Sequence, residues 1–304
     1  MLSSGITKGR VAERNGTDRI VDETRSSDPP NFWNGYTIRF LDDSGQALHT
    51  ARVRGFRPGN AVLATEQLLP DTVDEGTRYE LDGGEEAPIL VIRSVLGLGR
   101  DEAIPPVSVR LGTTRGTNAL LTRRGARTAF VTTQGFGDVL LIGNQNRPRL
   151  FDLAIEKPEP LFEETVEIAE RLDAQGNVLM PPDESRVRLQ LEQLRHTGVE
   201  SIGICLLHAF ANGAHEQIVE RIAREVGFTE ISTSSRLSPL IKIVSRGDTT
   251  IMDAYLNPIL REYVQRLRAS LPDSELRMMT SAGGLVDADS FVGKDSILSG
   301  PAGG

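Results

Sequence analysis

The sequence predicts an α/β fold with helices packed on mixed sheets, and three observations carry that expectation. From residue 107 the chain repeats strand, turn and helix: VSVRL, GTTRG, TNALLTRR, then TAFVTT. SIGICLL (201–207) is an uninterrupted apolar run of the kind found in strands covered on both faces. Between the strands, apolar residues recur at helical spacing, as in Val187, Leu191 and Leu194, or Ile218, Ile222 and Val226.

The elements follow in order. Residues 1–35 are polar, with SSDPPNFWNG near their end, and are expected to be irregular. Tyr36, Ile38 and Phe40 alternate along a strand, SGQ turns the chain, and ALHTARVRGF returns it. EEAPILVIRSVLG (85–97) has acids at its start and a glycine after its apolar run, so it reads as a short helix. TNALLTRR is a helix with Gly125 at its C-terminal cap position. Residues 166–179 read as two strands about an Ala-Gln-Gly-Asn turn. Asp183 is placed to cap a helix that Gly198 ends, and Gly227 ends the next. A long helix carries Ile251, Tyr255, Ile259, Tyr263 and Leu267 in register, and Pro258 inside it should kink or split it near Asn257. ELRMMTS is the last strand before the glycines.

Composition bounds the function. The chain has 304 residues, 38% hydrophobic and 25% charged, with a net charge of −8. That is globular composition, and the acidic balance without a basic stripe argues against nucleic acid as a partner. No window approaches a membrane span, and the N-terminus has no apolar core of a signal peptide. The one cysteine, Cys205, falls in an apolar run and allows no disulfide within the chain. The expected location is the cytoplasm.

Six segments could carry chemistry. LGTTRGTNALL (111–121) brings a strand into a turn of glycine and hydroxyl residues ahead of a helix. It reads either as an anion cradle, with Thr113, Thr114, Thr117 and Arg115 as donors, or as a tight turn capped by Thr117. GNQNRPRLFDL (143–153) is dense in planar polar groups and reads as a site loop or a solvated loop. HAFANGAHE offers His208, His215 and Glu216, a metal set or a structural one. In SRGDTTIMDAY, Asp248 could cap the helix while Arg246 and Asp253 face a cleft. TSAGGL and SGPAGG are glycine segments that allow close backbone approach, and Pro301 suits a first helical position although no helix is expected to follow.

Together, and in this order, residues 111–153, HAFANGAHE, SRGDTTIMDAYLNPIL, TSAGGL and SILSGPAGG resemble the hydantoinase A / 5-oxoprolinase family over about residues 107–304. The resemblance implies an actin-like ATPase (ribonuclease H-like) fold, with mixed sheets, helices on both faces, and both ends incomplete. The family's Asp-x-Gly-Gly-Thr-Phe-Thr-Asp phosphate loop is not found in the sequence, and its second phosphate loop would follow Gly304. The chain is therefore expected to be part of a longer protein, inactive by itself. The implied domains are an irregular segment at 1–35, a hydantoinase A N-terminal-type α/β domain at 36–235, and the truncated start of the core domain at 236–304.

The implied reaction is ATP-dependent hydrolysis of a cyclic amide, 5-oxo-L-proline to L-glutamate with ADP and phosphate. ATP and Mg²⁺ are the implied cofactors, although no metal ligand is assigned in this chain. An N-methylhydantoinase or an acetone or acetophenone carboxylase subunit is an alternative, as is a non-catalytic binding module lacking both phosphate loops. Implied partners are the small cyclic amide and a hydantoinase B-type half, fused or separate, with homo-oligomerisation when complete. The carried-over cleft residues are Thr113, Thr114, Arg115, Gly116, Asn118, Asn144, Gln145, Arg147, Arg149, Arg246 and Asp248. Gly283, Gly284, Gly300, Gly303 and Gly304 approach the nucleotide site, and no residue is identified as the catalytic base.

Overall fold

The computed structural model describes residues 5–144 and 158–303. The chain divides into two compact units, residues 1–109 with 265–275, and residues 110–264 with 276–304. The second unit runs through residue 235, and the first takes back residues 265–275, so the chain crosses between the units more than once.

In the first unit, residues 5–35 are not irregular. They contain β1 (Ile6–Arg10), β2 (Glu13–Arg14) and β3 (Arg19–Val21). β4 (Thr37–Leu41), β5 (Ala47–Arg57), β6 (Val62–Thr65) and β7 (Arg78–Asp82) complete a seven-stranded sheet in the order β1-β7-β4-β5-β6-β3-β2. β5 serves two neighbours. Its first half pairs antiparallel with β4, its second half with β6, and a bulge between Val53 and Gly55 lies at the changeover. The expected alternation holds, since Tyr36, Ile38 and Phe40 are buried with Val53, Phe56, Leu63 and Leu81. α1 (Ala87–Leu96) adds Leu90 and ends on Gly97 in the left-handed region.

One buried cation ties these early strands to the rest of the sheet, through the Lys8 carbonyl of β1 and Tyr79 of β7. Arg25 lies 4.7 Å over the ring of Trp33, and its Nε donates to the Tyr79 hydroxyl at 2.6 Å. Tyr79 in turn donates to Asp22 at 2.5 Å, and Trp33 donates to Asp28 at 2.7 Å. The cluster closes over Gly9, where a Cβ would stand 2.4 Å from the Tyr79 hydroxyl.

The second unit follows the predicted alternation. Its elements begin with β8 (Ser108–Leu111), whose first two residues belong to the first unit, then α2 (Arg115–Leu121), β9 (Thr128–Thr133), α3 (Val139–Ile142) and β10 (Glu164–Ile168). Next come β11 (Arg171–Leu172), β12 (Val178–Met180), α4 (Glu184–His196), β13 (Ser201–Cys205), α5 (Ala214–Val226) and β14 (Glu230–Thr233). α6 (Ser234–Leu237), α7 (Ile243–Ser270), β15 (Glu275–Met279), β16 (Leu285–Asp287) and α8 (Ser299–Gly303) complete the chain, with α7 from Gln265 onward and Glu275 belonging to the first unit. β9, β10, β13 and β14 form a parallel sheet in the order β10-β9-β13-β14. Ala129 and Val131 face the α4 and α5 side, while Phe130 and Cys205 face Ile251 of α7 on the other, so helices cover both faces. β16, β15 and β8 form a separate three-stranded sheet.

Asp183 caps α4 as expected, accepting the Ser185 and Arg186 amides at 3.0 and 3.2 Å. One other local expectation is refined and three are corrected. The hairpin about the Ala-Gln-Gly-Asn turn is β11 with β12, while β10 pairs parallel with β9. Gly125 does not cap α2. The left-handed residue there is Arg123, and Gly125 is needed because a Cβ would meet the Tyr255 ring at 1.9 Å.

Pro258 does not split α7, which runs unbroken through it. Proline removes the amide that would bond the Ala254 carbonyl, and Ser201 Oγ donates to that carbonyl instead at 2.7 Å. The Ala126 amide takes the Tyr255 carbonyl at 3.0 Å. Finally, a short helix does form around Pro301, as α8.

Two outcomes are expected. Arg25→Met should destabilise the first unit by about 3–5 kcal/mol in urea unfolding, since it leaves Asp22 buried without its cation. Burial raises the Asp22 carboxyl, but hydrogen bonds from Thr24 and Tyr79 and the charge of Arg25 outweigh it and hold it below 3.8. Its stabilisation is therefore present above about pH 4 and lost as pH falls through the lowered value, and Asp22→Asn should flatten that acid limb.

Candidate functional site

The second unit brings together two of the predicted segments, the turn after β8 and the serine- and glycine-rich stretch at 293–303. Thr113 is pinned on both sides of its main chain. Its amide donates to Ser299 Oγ at 3.3 Å, and Ser299 Oγ lies 2.8 Å from the Thr113 carbonyl. The Thr117 hydroxyl donates to the Ile297 carbonyl. Glycines make this approach possible. A Cβ on Gly112 would stand 2.7 Å from the Ser299 carbonyl oxygen, and one on Gly116 would stand 2.1 Å from Ser296 Oγ. One on Gly300 would meet the Thr114 methyl at 2.7 Å.

α7 holds the second strip in place. Asp253, almost fully buried, accepts from Ser232 Oγ at 2.7 Å, Asn257 Nδ2 at 2.9 Å and the Lys294 amide at 2.8 Å. Asn257 Oδ1 accepts the Gly293 amide at 2.7 Å. The Ser296 hydroxyl donates to the Gly293 carbonyl, and Ser281 Oγ accepts the Leu298 amide at 3.0 Å. The turn at Thr280–Gly284 is closed by Thr280, which accepts the Gly284 amide, with Gly283 at a positive φ. Asp253 thus faces a packed turn and not the cleft expected of it.

The anion-cradle reading is narrowed by this packing. The amides of Thr113 and Arg115 are taken by Ser299 and by Thr113 Oγ1. Arg115 places its guanidinium 4.4 Å over the Tyr263 ring. What stands exposed beside Gly300 is Thr114, which makes no side-chain capping bond, and Asn118 one turn on.

The other predicted residues lie elsewhere. Asn144 is exposed in the turn after α3, while Gln145, Arg147, Arg149 and Gly304 lie outside the described residues. Arg246 is wholly buried and faces no cleft. Its guanidinium donates to the Leu206 carbonyl at 2.6 Å, the Leu240 carbonyl at 2.7 Å and Ser234 Oγ at 3.0 Å. Asp248 is not a cap, because α7 begins five residues earlier at Ile243. Its side chain keeps an exposed face, yet neighbouring atoms desolvate the carboxyl enough to push it above its ordinary value.

The histidine set is structural. His215 Nδ1 lies 2.5 Å from Glu170 Oε2, and Glu170 also receives the Thr133 hydroxyl. Glu216 is buried and accepts the Leu206 amide, Ser234 Oγ and the Ser235 amide. His208 bonds the Leu172 carbonyl. Among the described residues no group of three or more His, Cys, Asp or Glu could hold a metal ion. Burial pushes the Cys205 thiol up to about 11, so it is no nucleophile. An open recess of about 540 Å³, lined by Gly135, Gly137, Asp138, Thr165 and Glu167, contains none of the predicted site residues.

Ser296, Ser299 and Asn257 were missed by sequence reasoning. The only signal was their place in the segments SILSGPAGG and DAYLNP, and serine or asparagine in a loop has too many ordinary uses.

Gly116→Ala should lower stability by about 1–3 kcal/mol in thermal unfolding, because its methyl has no room against Ser296. Cys205 should resist iodoacetamide in the native state and label only on unfolding. Labelling at a free-thiol rate would contradict its burial.

Comparison with known proteins adds to this geometry. Residues 66–227 match the family model described as hydantoinase/oxoprolinase N-terminal region, and residues 246–304 match the model described as hydantoinase/oxoprolinase. A 5-oxoprolinase of Saccharomyces cerevisiae is 41% identical over 281 residues, covering 80% of this chain and 22% of the yeast protein. The chain thus spans about a fifth of that relative's length. Two solved structures share the fold at 20% identity. One is an ATP-dependent caprolactamase from Pseudomonas jessenii, with a TM-score of 0.60 over 90% of this chain and 38% of the other. The second is a nucleotide-free acetone carboxylase, with a TM-score of 0.62 over 91% and 39%. No helix among the described residues is long and apolar enough to cross a membrane.

Proposed function

Because the chain belongs to the hydantoinase/oxoprolinase family, we propose that it is the part of a longer enzyme that contributes to ATP-dependent opening of a cyclic amide, with 5-oxo-L-proline as substrate and L-glutamate as product. The carrying observation is the interlock of the turn at Gly112–Asn118 with Ser296–Gly303, two segments of the family pattern far apart in sequence. The 41% identity to a yeast 5-oxoprolinase supports the substrate. The same reading takes the sheets as part of an actin-like ATPase fold, with a B-type half as partner, fused or separate, in a homo-oligomer. A lone buried cysteine suits a cytoplasmic location.

An unactivated amide is a poor electrophile. Transfer of the γ-phosphoryl group to the amide oxygen breaks its bond to ADP and makes the carbonyl carbon attackable. Water adds there, the ring C–N bond breaks, and the nitrogen takes the proton. A second water then releases phosphate from the acyl phosphate. Such transfer is mainly positioning and charge neutralisation. In this reading Thr114, Asn118 and the main chain of Gly300–Gly303 line the site. Thr113 and Gly116 hold it in place, with Gly283 and Gly284 in the neighbouring turn. The described residues offer no cluster to hold Mg²⁺, so no step is assigned to it.

The test is ADP release by the full-length protein with MgATP. Release that depends on 5-oxo-L-proline is expected. No release with 5-oxo-L-proline, hydantoin or caprolactam would overturn the reading. The fold shared with acetone carboxylase gives a second reading, which release dependent on a ketone plus bicarbonate would favour.

A further inference from the structure

Resting on that reading, we infer that Ser299 is a positioning residue of the site. Its hydroxyl fixes the Thr113 main chain and so sets where Thr114 and Asn118 stand beside Gly300.

Ser299 is fully buried, and its hydroxyl bonds both the amide and the carbonyl of Thr113, 186 residues away in sequence. One hydroxyl proton serves either the Thr113 carbonyl at 2.8 Å or the Ser296 carbonyl at 2.9 Å, while a lone pair accepts the Thr113 amide at 3.3 Å. Thr113 passes the constraint on, because its own Oγ1 accepts the Arg115 amide at 3.2 Å and so shapes the entry to α2. Arg115 is held on Tyr263 from the other side. Thr114 and Asn118, at positions i and i+4, are the exposed polar side chains on this entry, and Thr114 lies against Gly300. Glycine at 112, 116 and 300 lets the two strips meet, since a Cβ at each position would stand within 2.7 Å of a group on the other strip. The hydroxyl itself need not touch a ligand. It acts by fixing the groups that do, and small displacements of positioned groups cost up to about a hundredfold in rate.

The experiment compares Ser299→Ala with Thr132→Val in the full-length protein. Thr132 is a matched control: it is also buried in the second unit, and its hydroxyl also bonds a main-chain carbonyl, that of Cys205 at 2.9 Å. Both variants should show similar small losses in melting temperature. Ser299→Ala is expected to lower kcat for amide-dependent ADP release by about tenfold or more. Thr132→Val should keep wild-type kcat and KM well below its melting temperature. Amide hydrogen exchange at Thr113 and Arg115 should quicken in Ser299→Ala only. Wild-type kcat and KM in Ser299→Ala would overturn the inference, as would equal losses of activity in both variants. If the wild-type protein itself releases no ADP with any cyclic amide, the functional reading has failed and takes this inference with it.

Discussion

The second unit depends on satisfying buried polar groups at the carboxyl ends of its parallel strands. Strands covered by helices on both faces leave those ends without water, and an unpaired main-chain group there costs about 1–3 kcal/mol. Side chains from several elements meet the need. Arg246 takes the Leu206 carbonyl, Glu216 the Leu206 amide, and Thr133 the Leu207 amide. Ser234 links Glu216 to Arg246, and Glu170 links Thr133 to His215. In an order such as β10-β9-β13-β14, the crevice between β9 and β13 is the usual place for a ligand. Here Glu170, Glu216 and Arg246 are bonded to groups at the ends of those two strands.

This displaces the candidate site to the turn after β8. There the constraint is close approach of backbone to backbone, which glycine alone permits. Gly112, Gly116 and Gly300 meet Ser299, Ser296 and Thr114 at distances no Cβ tolerates. The site's geometry also reaches back to α7, since Asp253 and Asn257 fix the turn at Gly293 and Lys294 from which the strip at 296–303 departs.

α7 shows how one residue is accommodated by its surroundings. Pro258 frees the Ala254 carbonyl in the turn before it, and the buried Ser201 hydroxyl takes it up. The helix therefore continues where local chemistry argued for a break. In the first unit the same logic runs the other way. Arg25, set among Trp33, Tyr79 and Asp22, orders a segment whose polar sequence offers no periodic signal.

Local periodicity determined by itself the alternation of strands and helices after residue 107, the cap at Asp183 and the glycine ends at Gly97 and Gly227, because those features depend on neighbours within a turn or two. The glycine segments were legible as a pattern, and so was the family resemblance they carry. Tertiary structure alone decided which polar residues face solvent and which face each other. Arg246, His215 and Glu216 look like site chemistry in sequence, yet their partners, Leu206, Leu240, Ser234 and Glu170 among them, lie on other segments of the fold. Ser299 looks ordinary, and its partner is 186 residues away. Burial and pairing are set by contacts distant in sequence, so the chemistry of a charged or hydroxyl side chain stays open until the fold fixes its neighbours.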